Sequence, residues 1–243
     1  MTPARTRAIA MWSGPRNIST AMMRAWENRP DCAVVDEPFY ACYLAETGLN
    51  HPCRDAILMS QSTDRATVAH ALSHDAPAPV YYQKHMTHHM PQGCDLSWAL
   101  GIQHAFLIRN PAEIIASYLE KMPSVTEADI GIVRQAQLFE EITALTGCQP
   151  PVIDSNDVLR DPAGTLERLC NALEVPWISG AMTEWPAGPR DSDGVWAEHW
   201  YQVVWASKGF APYKPRSPEL SGEALRLAEA MAPYYEAMAR FKL

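Results

Sequence analysis

Basic residues are in deficit in this chain. Twenty Lys and Arg stand against 28 Asp and Glu over 243 residues, for a net charge of −8. That balance excludes a general nucleic-acid surface, and any anion must be met by a few local basic groups. Paired cysteines are also lacking. Cys32, Cys42, Cys53, Cys94, Cys148 and Cys170 are scattered, with no Cys-x-x-Cys among them. They read as free thiols of a reducing compartment. No stretch approaches membrane-spanning length, and no signal-peptide apolar core precedes the first strand. The expectation is a cytoplasmic protein with no membrane span. There are no internal repeats and no clear boundary. An apolar content of 47% suffices for one domain over residues 1–243.

What is present centres on the stretch from Arg7 to Arg29. Ala8 to Trp12 is a short run apolar on both faces, which predicts a buried strand. Ser13-Gly14-Pro15-Arg16-Asn17-Ile18 follows as a tight loop, and Ser19 and Thr20 open a helix. Met22, Ala25, Trp26 and Arg29 share its inner face. A buried strand turning sharply into a helix aims free N–H groups and a positive dipole end at the loop, which makes an anion site. Arg16 adds a forked cation suited to phosphate or sulfate. The Gly-Lys-Ser/Thr ending of a Walker A loop is missing, which counts against a standard NTPase.

Cys32 to Val35 predicts a second strand, ending in Asp36-Glu37-Pro38. Strand, loop, helix, strand predicts a parallel sheet, whose ligands sit at the carboxyl ends of strands. Glu37 is then either a general base or a salt-bridge partner of Arg16. Residues 40–76 read as helical with a break near Gly48. Pro79 to Gln83 predicts a third strand, followed by Lys84, His85, His88 and His89 in a loop. These histidines lack an acidic or cysteine partner at ligand spacing, so no metal site is expected. A histidine there is a candidate base instead. His104 to Ile108 predicts a fourth strand, terminated by Arg109. Asn110 caps the next helix, Pro111 opens it, and Glu113 is expected to reach back to the cap. Ile114, Ile115, Tyr118, Leu119 and Met122 are expected to pack inward, and Ser117 to share a face with Asn110 and Glu113. Thr126 to Thr146 predicts one long helix. Pro151 to Ser155 predicts a fifth strand, and Asp161 to Leu173 another helix. Trp196, Trp200, Val203 and Val204 mark an amphipathic helix, and residues 219–240 a closing one. The whole reads as a three-layer α/β fold of the P-loop NTPase type. About five mostly parallel strands are flanked by helices.

This combination resembles the sulfotransferases that use 3′-phosphoadenosine 5′-phosphosulfate (PAPS), in their bacterial and plant branch. Pro15-Arg16-Asn17-Ile18-Ser19-Thr20 is similar to the family's 5′-phosphosulfate loop. Ile18 stands where the family has glycine, and Asn17 where it has serine. Arg109-Asn110-Pro111 with Ser117 is similar to the 3′-phosphate motif. Asp154 to Val175 is similar to the acidic segment and helix after the last core strand. Lys208-Gly209 is weakly similar to the basic-Gly loop over the 3′-phosphate.

The resemblance implies sulfuryl transfer from PAPS to a hydroxyl or amine of a small-molecule acceptor, without a metal. It implies Arg16, Ser19 and Thr20, with the backbone of Asn17 and Ile18, at the 5′ group. It implies Arg109 and Ser117 at the 3′-phosphate, with help from Lys208. For the base it implies Glu37 first, His85 second and His88 third. Trp196, Trp200, Tyr201, Trp205 and Phe210 either wall an acceptor pocket or simply pack. Two other classes stay open: a kinase-like phosphotransferase using ATP–Mg, and a non-catalytic nucleotide-binding protein. Acceptor identity and oligomeric state are not legible.

Overall fold

The computed structural model describes residues 6–120, 122–215 and 217–243. Its centre is a five-stranded sheet. The strands are β1 (Arg7–Ser13), β2 (Cys32–Asp36), β3 (Val80–Met86), β4 (Gln103–Ile108) and β5 (Val152–Asp154). All pairings are parallel, in the order β2-β3-β1-β4-β5. The three-layer α/β fold read from the sequence is borne out, with every strand parallel rather than most.

Alternation sorts the strand side chains into two cores. Ile9, Met11, Val80, Tyr82, Ala105 and Leu107 face one side. There they meet α1 (Ser19–Glu27), α2 (Tyr40–Thr47), α3 (Arg54–Ser60) and the segment from Trp177 to Phe210. Ala10, Trp12, Tyr81, Phe106 and Ile108 face the other. Against that face lie α4 (Arg65–His74), α5 (Pro111–Leu119), α7 (Ile132–Thr146) and α12 (Gly222–Ala239). Both faces are covered, which is why β1 and β3 carry apolar residues without alternation.

α9 (Pro162–Ala172) also packs on the first side, and the remaining helices are short: α6 (Glu127–Ile130), α8 (Ser155–Arg160), α10 (Ala197–Trp200) and α11 (Gln202–Trp205). Among the described residues, no helix is long and apolar enough to cross a membrane.

Several local expectations are corrected. The helix expected over Thr126–Thr146 breaks at Gly131, which takes φ 69°. A side chain there would press on the Pro15 ring at 3.2 Å. The break seats α6 against the loop after β1, and a continuous helix would bypass it. The third strand runs on to Met86, so Lys84 and His85 lie within it and not in a loop. Leu119 and Met122 are exposed. Trp196 is buried, but Trp200 and Val203 are exposed, because the expected amphipathic helix is two single turns. All six cysteines are free.

Candidate active site

The anion-site candidates gather at the carboxyl edge of the sheet. β1 ends at Ser13 beside β4, and the loop carries Arg16 with φ 53°. Arg16 takes the left-handed conformation without being glycine. Ile18, where the resembling family has glycine, sits at φ −78° and needs no glycine. Asn17 ties the loop down. Its Nδ2 donates to the Leu107 carbonyl at 2.9 Å, and its Oδ1 accepts from the Ile18 N–H at 3.0 Å. No side chain caps α1 at Ile18. The first-turn N–H groups of a nine-residue helix thus point at the loop with a positive dipole end.

Arg109 and Ser117 converge on the same loop. Arg16 donates to the Ser117 hydroxyl from Nε at 3.2 Å and from Nη2 at 2.9 Å. Arg109 donates from Nη1 to the Arg16 carbonyl at 2.7 Å. Its Nε donates to Glu113 at 3.1 Å, and Asn156 Nδ2 donates to the other Glu113 oxygen at 2.8 Å. Glu113 therefore orients Arg109 and does not reach back to the helix cap. Asn110 does cap α5, accepting from the Ala112 N–H at 2.9 Å. The acidic segment after β5 thus supports the second arginine through Asn156. Lys208 lies apart, on an exposed loop beside Thr183, Glu184 and Phe210.

Glu37 stands just past the end of β2, which pairs with β3, which pairs with β1. Two strand spacings put it roughly 10 Å from the end of β1. It holds φ 43°, rare for a residue before proline. Its N–H donates to the Lys84 carbonyl at 2.9 Å, and its carbonyl accepts from Tyr40 and Gln61. Its carboxylate pairs with Lys84, not with Arg16 as the salt-bridge reading had it. Burial raises its pKa, Lys84 pulls it back, and Asp36 adds to the rise. Lys84 also pairs with Asp36 at 2.8 Å and donates to the Tyr201 hydroxyl at 2.9 Å. Burial opposes its charge, but Asp36 and Glu37 outweigh that and hold its pKa well above the ordinary value.

The histidines stand elsewhere. One position along the strand from Lys84, His85 points to the opposite face. Its ring stacks on Trp12 at 4.3 Å and meets Phe39 and Trp98. Its Nε2 lies 3.1 Å from the Gln83 amide oxygen. Burial, then His104 and Lys84, push its pKa down to about 3. His88 and His89 form a ring cluster with Tyr40 and Tyr43. His89 Nε2 is 4.0 Å from Glu37. Among the described residues, no group of His, Cys, Asp or Glu is placed to hold a metal ion.

Sequence reasoning missed the joint between Asp36, Lys84 and Tyr201. The signal was a polar run, Gln83-Lys84-His85, continuing an apolar strand next to Asp36-Glu37. Of the expected aromatic wall, Tyr201 and Trp196 belong to that joint, and Trp205 binds Asp193.

Comparison with known proteins identifies the family and the fold. A family model described as a sulfotransferase domain matches residues 7–241. Two Arabidopsis thaliana proteins are similar in sequence. Branched-chain-amino-acid aminotransferase-like protein 1 is 35% identical over 221 residues, covering 90% of this chain and 39% of that protein. Aminotransferase-like protein 2 of the same name series is 33% identical over 204 residues, covering 84% and 36%. The chain thus spans well under half the length of these relatives. Two solved structures share the fold. The sulfotransferase domain from the curacin biosynthetic pathway has a TM-score of 0.53 at 14% identity, covering 93% of this chain and 97% of that one. The sulfotransferase domain of the Synechococcus PCC 7002 olefin synthase has a TM-score of 0.57 at 15% identity, covering 96% and 98%. The matched stretch takes in the Arg16 loop, Glu37, Lys84 and Arg109 together, and the chain belongs to the sulfotransferase domain family.

Proposed function

We propose that this chain transfers a sulfuryl group from PAPS to a hydroxyl or amine of a small-molecule acceptor. One observation carries the reading. Two arginines from two strand ends and the uncapped start of α1 converge on one loop, with a buried-edge carboxylate across β3. That set fits a ligand with two anionic groups and a neighbouring proton acceptor.

PAPS, when bound, supplies an activated sulfuryl group and a leaving bisphosphate. The chain's residues do the rest. Arg16, Ser19, Thr20 and the helix start hold the 5′ group, where negative charge gathers as the bond breaks. The Asn17 and Ile18 backbone shapes that loop; the Ile18 N–H is already spent on Asn17. Arg109 and Ser117 hold the 3′-phosphate, and because Ser117 is bonded to Arg16 the two subsites share a wall. Lys208, on its exposed loop, is assigned to the nucleotide by the family resemblance alone. Glu37 takes the proton of the acceptor. His85, the second candidate, is walled in by rings and engaged by Gln83, which favours Glu37 over it. His88 is the third, set back behind His89. The positive charges come from arginines, so the transfer needs no metal.

The test is a thermal-shift titration with adenosine 3′,5′-bisphosphate, ATP–Mg and sulfate. It uses wild type, Arg16→Ala and Arg109→Ala, with and without a chelator. The bisphosphate at a hundred times its Kd stabilises wild type by about 2.7 kcal/mol. Chelator leaves that effect intact and either substitution removes it. Stabilisation by ATP–Mg alone would install the kinase-like reading instead.

A further inference from the structure

Two consecutive carboxylates share one buried ammonium at the edge of the sheet. Asp36 and Lys84 are register partners on β2 and β3, and each side chain is 1% exposed. Asp36 Oδ1 accepts from Nζ at 2.8 Å. Its Oδ2 accepts from the Tyr201 hydroxyl at 2.7 Å and from the Gly194 N–H at 3.4 Å. Glu37 accepts from the same Nζ. The Tyr201 hydroxyl accepts from Nζ at 2.9 Å and from Trp196 Nε1 at 3.2 Å. Lys84 has three protons, and Asp36, Glu37 and Tyr201 take all three. Its capacity is therefore fixed. What one oxygen gains, another loses.

We infer that Asp36 and Tyr201 are positioning residues that set the proton affinity of Glu37 by fixing how much of the Lys84 ammonium it receives. This rests on the reading of Glu37 as the base. Neither residue reaches an acceptor; both act through Lys84. Asp36 accepts from three donors, Lys84, Tyr201 and the Gly194 N–H, and holds Lys84 back from Glu37. Glu37 is left with a partial share, in a low-dielectric setting where two carboxylates face one cation.

The other groups facing Glu37 do not confuse this. From the turn after β3, His89 is held well below its ordinary range by burial, then by His88 and Lys84, and stays neutral. From α2, Tyr40 is raised by burial and by Glu37 itself and stays protonated. Tyr201, at the end of α10, is raised by burial and by Asp36 and stays protonated too. The ion-pair partners around Glu37 are Lys84 and, through it, Asp36.

The two positioning residues act in the same direction and to different extents. Asp36→Asn removes the competing anion, so Lys84 turns further to Glu37 and its carboxylate becomes a weaker base. Tyr201→Phe removes the third acceptor of the Lys84 ammonium, so the proton it held is shared between Asp36 and Glu37, and Glu37 becomes a weaker base by less. A merely structural role predicts no change in the proton affinity of Glu37.

The experiment is a pH titration of the full chain labelled with 13C at glutamate carboxyls, with Glu37→Gln assigning the resonance. Wild type is expected to titrate above the ordinary glutamate value. Asp36→Asn is expected to lower that midpoint by about one unit, and Tyr201→Phe to lower it by less. A rise in either variant, or no shift, overturns the inference. Tyr201→Phe keeps the ring and decides alone if Asp36→Asn does not fold: a fall supports the inference, and a rise or no change overturns it. The readout needs neither donor nor acceptor. Absence of a wild-type melting shift with adenosine 3′,5′-bisphosphate would sink the sulfotransferase reading separately.

Discussion

Arg109 donates to the backbone carbonyl of Arg16 at 2.7 Å. One arginine of the site thus holds the main chain of the other in its left-handed turn. This makes the two functionally inseparable. A charge-assisted bond to a strained loop carbonyl contributes about 1.5–3 kcal/mol. Arg109→Ala is expected to lose that stability in urea unfolding and also the melting shift with adenosine 3′,5′-bisphosphate. Arg109→Lys is expected to restore little of either. A lysine point charge cannot reach the Arg16 carbonyl and Glu113 with one planar fork. Full recovery by lysine would mean that only charge is needed there.

Glu37→Gln keeps the shape of the side chain and removes its basicity. Turnover at saturating PAPS is expected to fall about 10²–10⁴-fold, with the bisphosphate melting shift unchanged. In wild type, burial raises the carboxyl above its ordinary 4.5. The base must be ionised to work. Activity is therefore complete at high pH and declines as pH falls through the raised value, sooner than an exposed glutamate would allow. Unchanged turnover in Glu37→Gln would remove Glu37 from the chemistry.

Ser117→Ala leaves both Arg16 nitrogens without the hydroxyl they now share. One charge-assisted bond of this kind is worth about 1.5–3 kcal/mol, so Kd for adenosine 3′,5′-bisphosphate is expected to rise about 10–150-fold. Folding is expected to change little, because Arg16 is only partly buried and water replaces the hydroxyl. Isothermal calorimetry reads the first quantity and urea unfolding the second. Equal affinity for wild type and Ser117→Ala would mean that Ser117 only packs.

The fold was legible because its signals are local and strong. Apolar runs with both faces buried, and the Asn110-Pro111 helix start, report themselves within a few residues. What stayed hidden depends on parity and on distant partners. Lys84 and His85 are neighbours in sequence, yet a period of two sends them to opposite faces of β3. A strand ending at Gln83 would hide that parity. Tyr201 meets Asp36 across 165 residues, and no window of sequence joins them. Glu113 had a sound local use as a cap partner. Arg109 and Asn156 outbid that use because a charged guanidinium and an amide bind a buried carboxylate more strongly than a cap N–H does.

Burial of neutral histidines makes the protein acid-sensitive. His85 is pushed down to about 3, chiefly by burial, and His104 to about 4, also by burial. The unfolded imidazoles accept protons near 6.5. Below that pH the unfolded state gains protons that the folded state refuses. Stability is therefore complete above 6.5 and is lost as pH falls toward those depressed values. Between pH 6.5 and 4.5 the loss is about 2–3 kcal/mol per histidine. His85→Phe keeps the ring stack with Trp12 and removes one titrating group. The fall in urea midpoint from pH 7 to pH 5 is expected to be smaller in that variant. An equal fall would show that the His85 imidazole binds its proton equally well in the folded and unfolded states.

The segment carrying Tyr201 is itself tied down through α1. Arg24 is 1% exposed and donates to Glu27 at 2.9 Å and to Asp193. Trp205 Nε1 donates to the other Asp193 oxygen at 2.8 Å. Ser192 donates to Glu27. Asp193→Ala leaves the buried Arg24 with Glu27 alone and the Trp205 N–H without its acceptor, at a cost of about 1–3 kcal/mol. Replacing both residues, Arg24→Met with Asp193→Leu, removes the half-paired charge and is expected to recover most of that loss in urea unfolding. The double variant still lacks the Trp205 tether. If the tether is what seats Tyr201 on Asp36, Glu37 in the double variant titrates as it does in Tyr201→Phe, although stability is restored. A wild-type Glu37 midpoint in the stable double variant would show that Tyr201 holds its place through Trp196 and Lys84 alone.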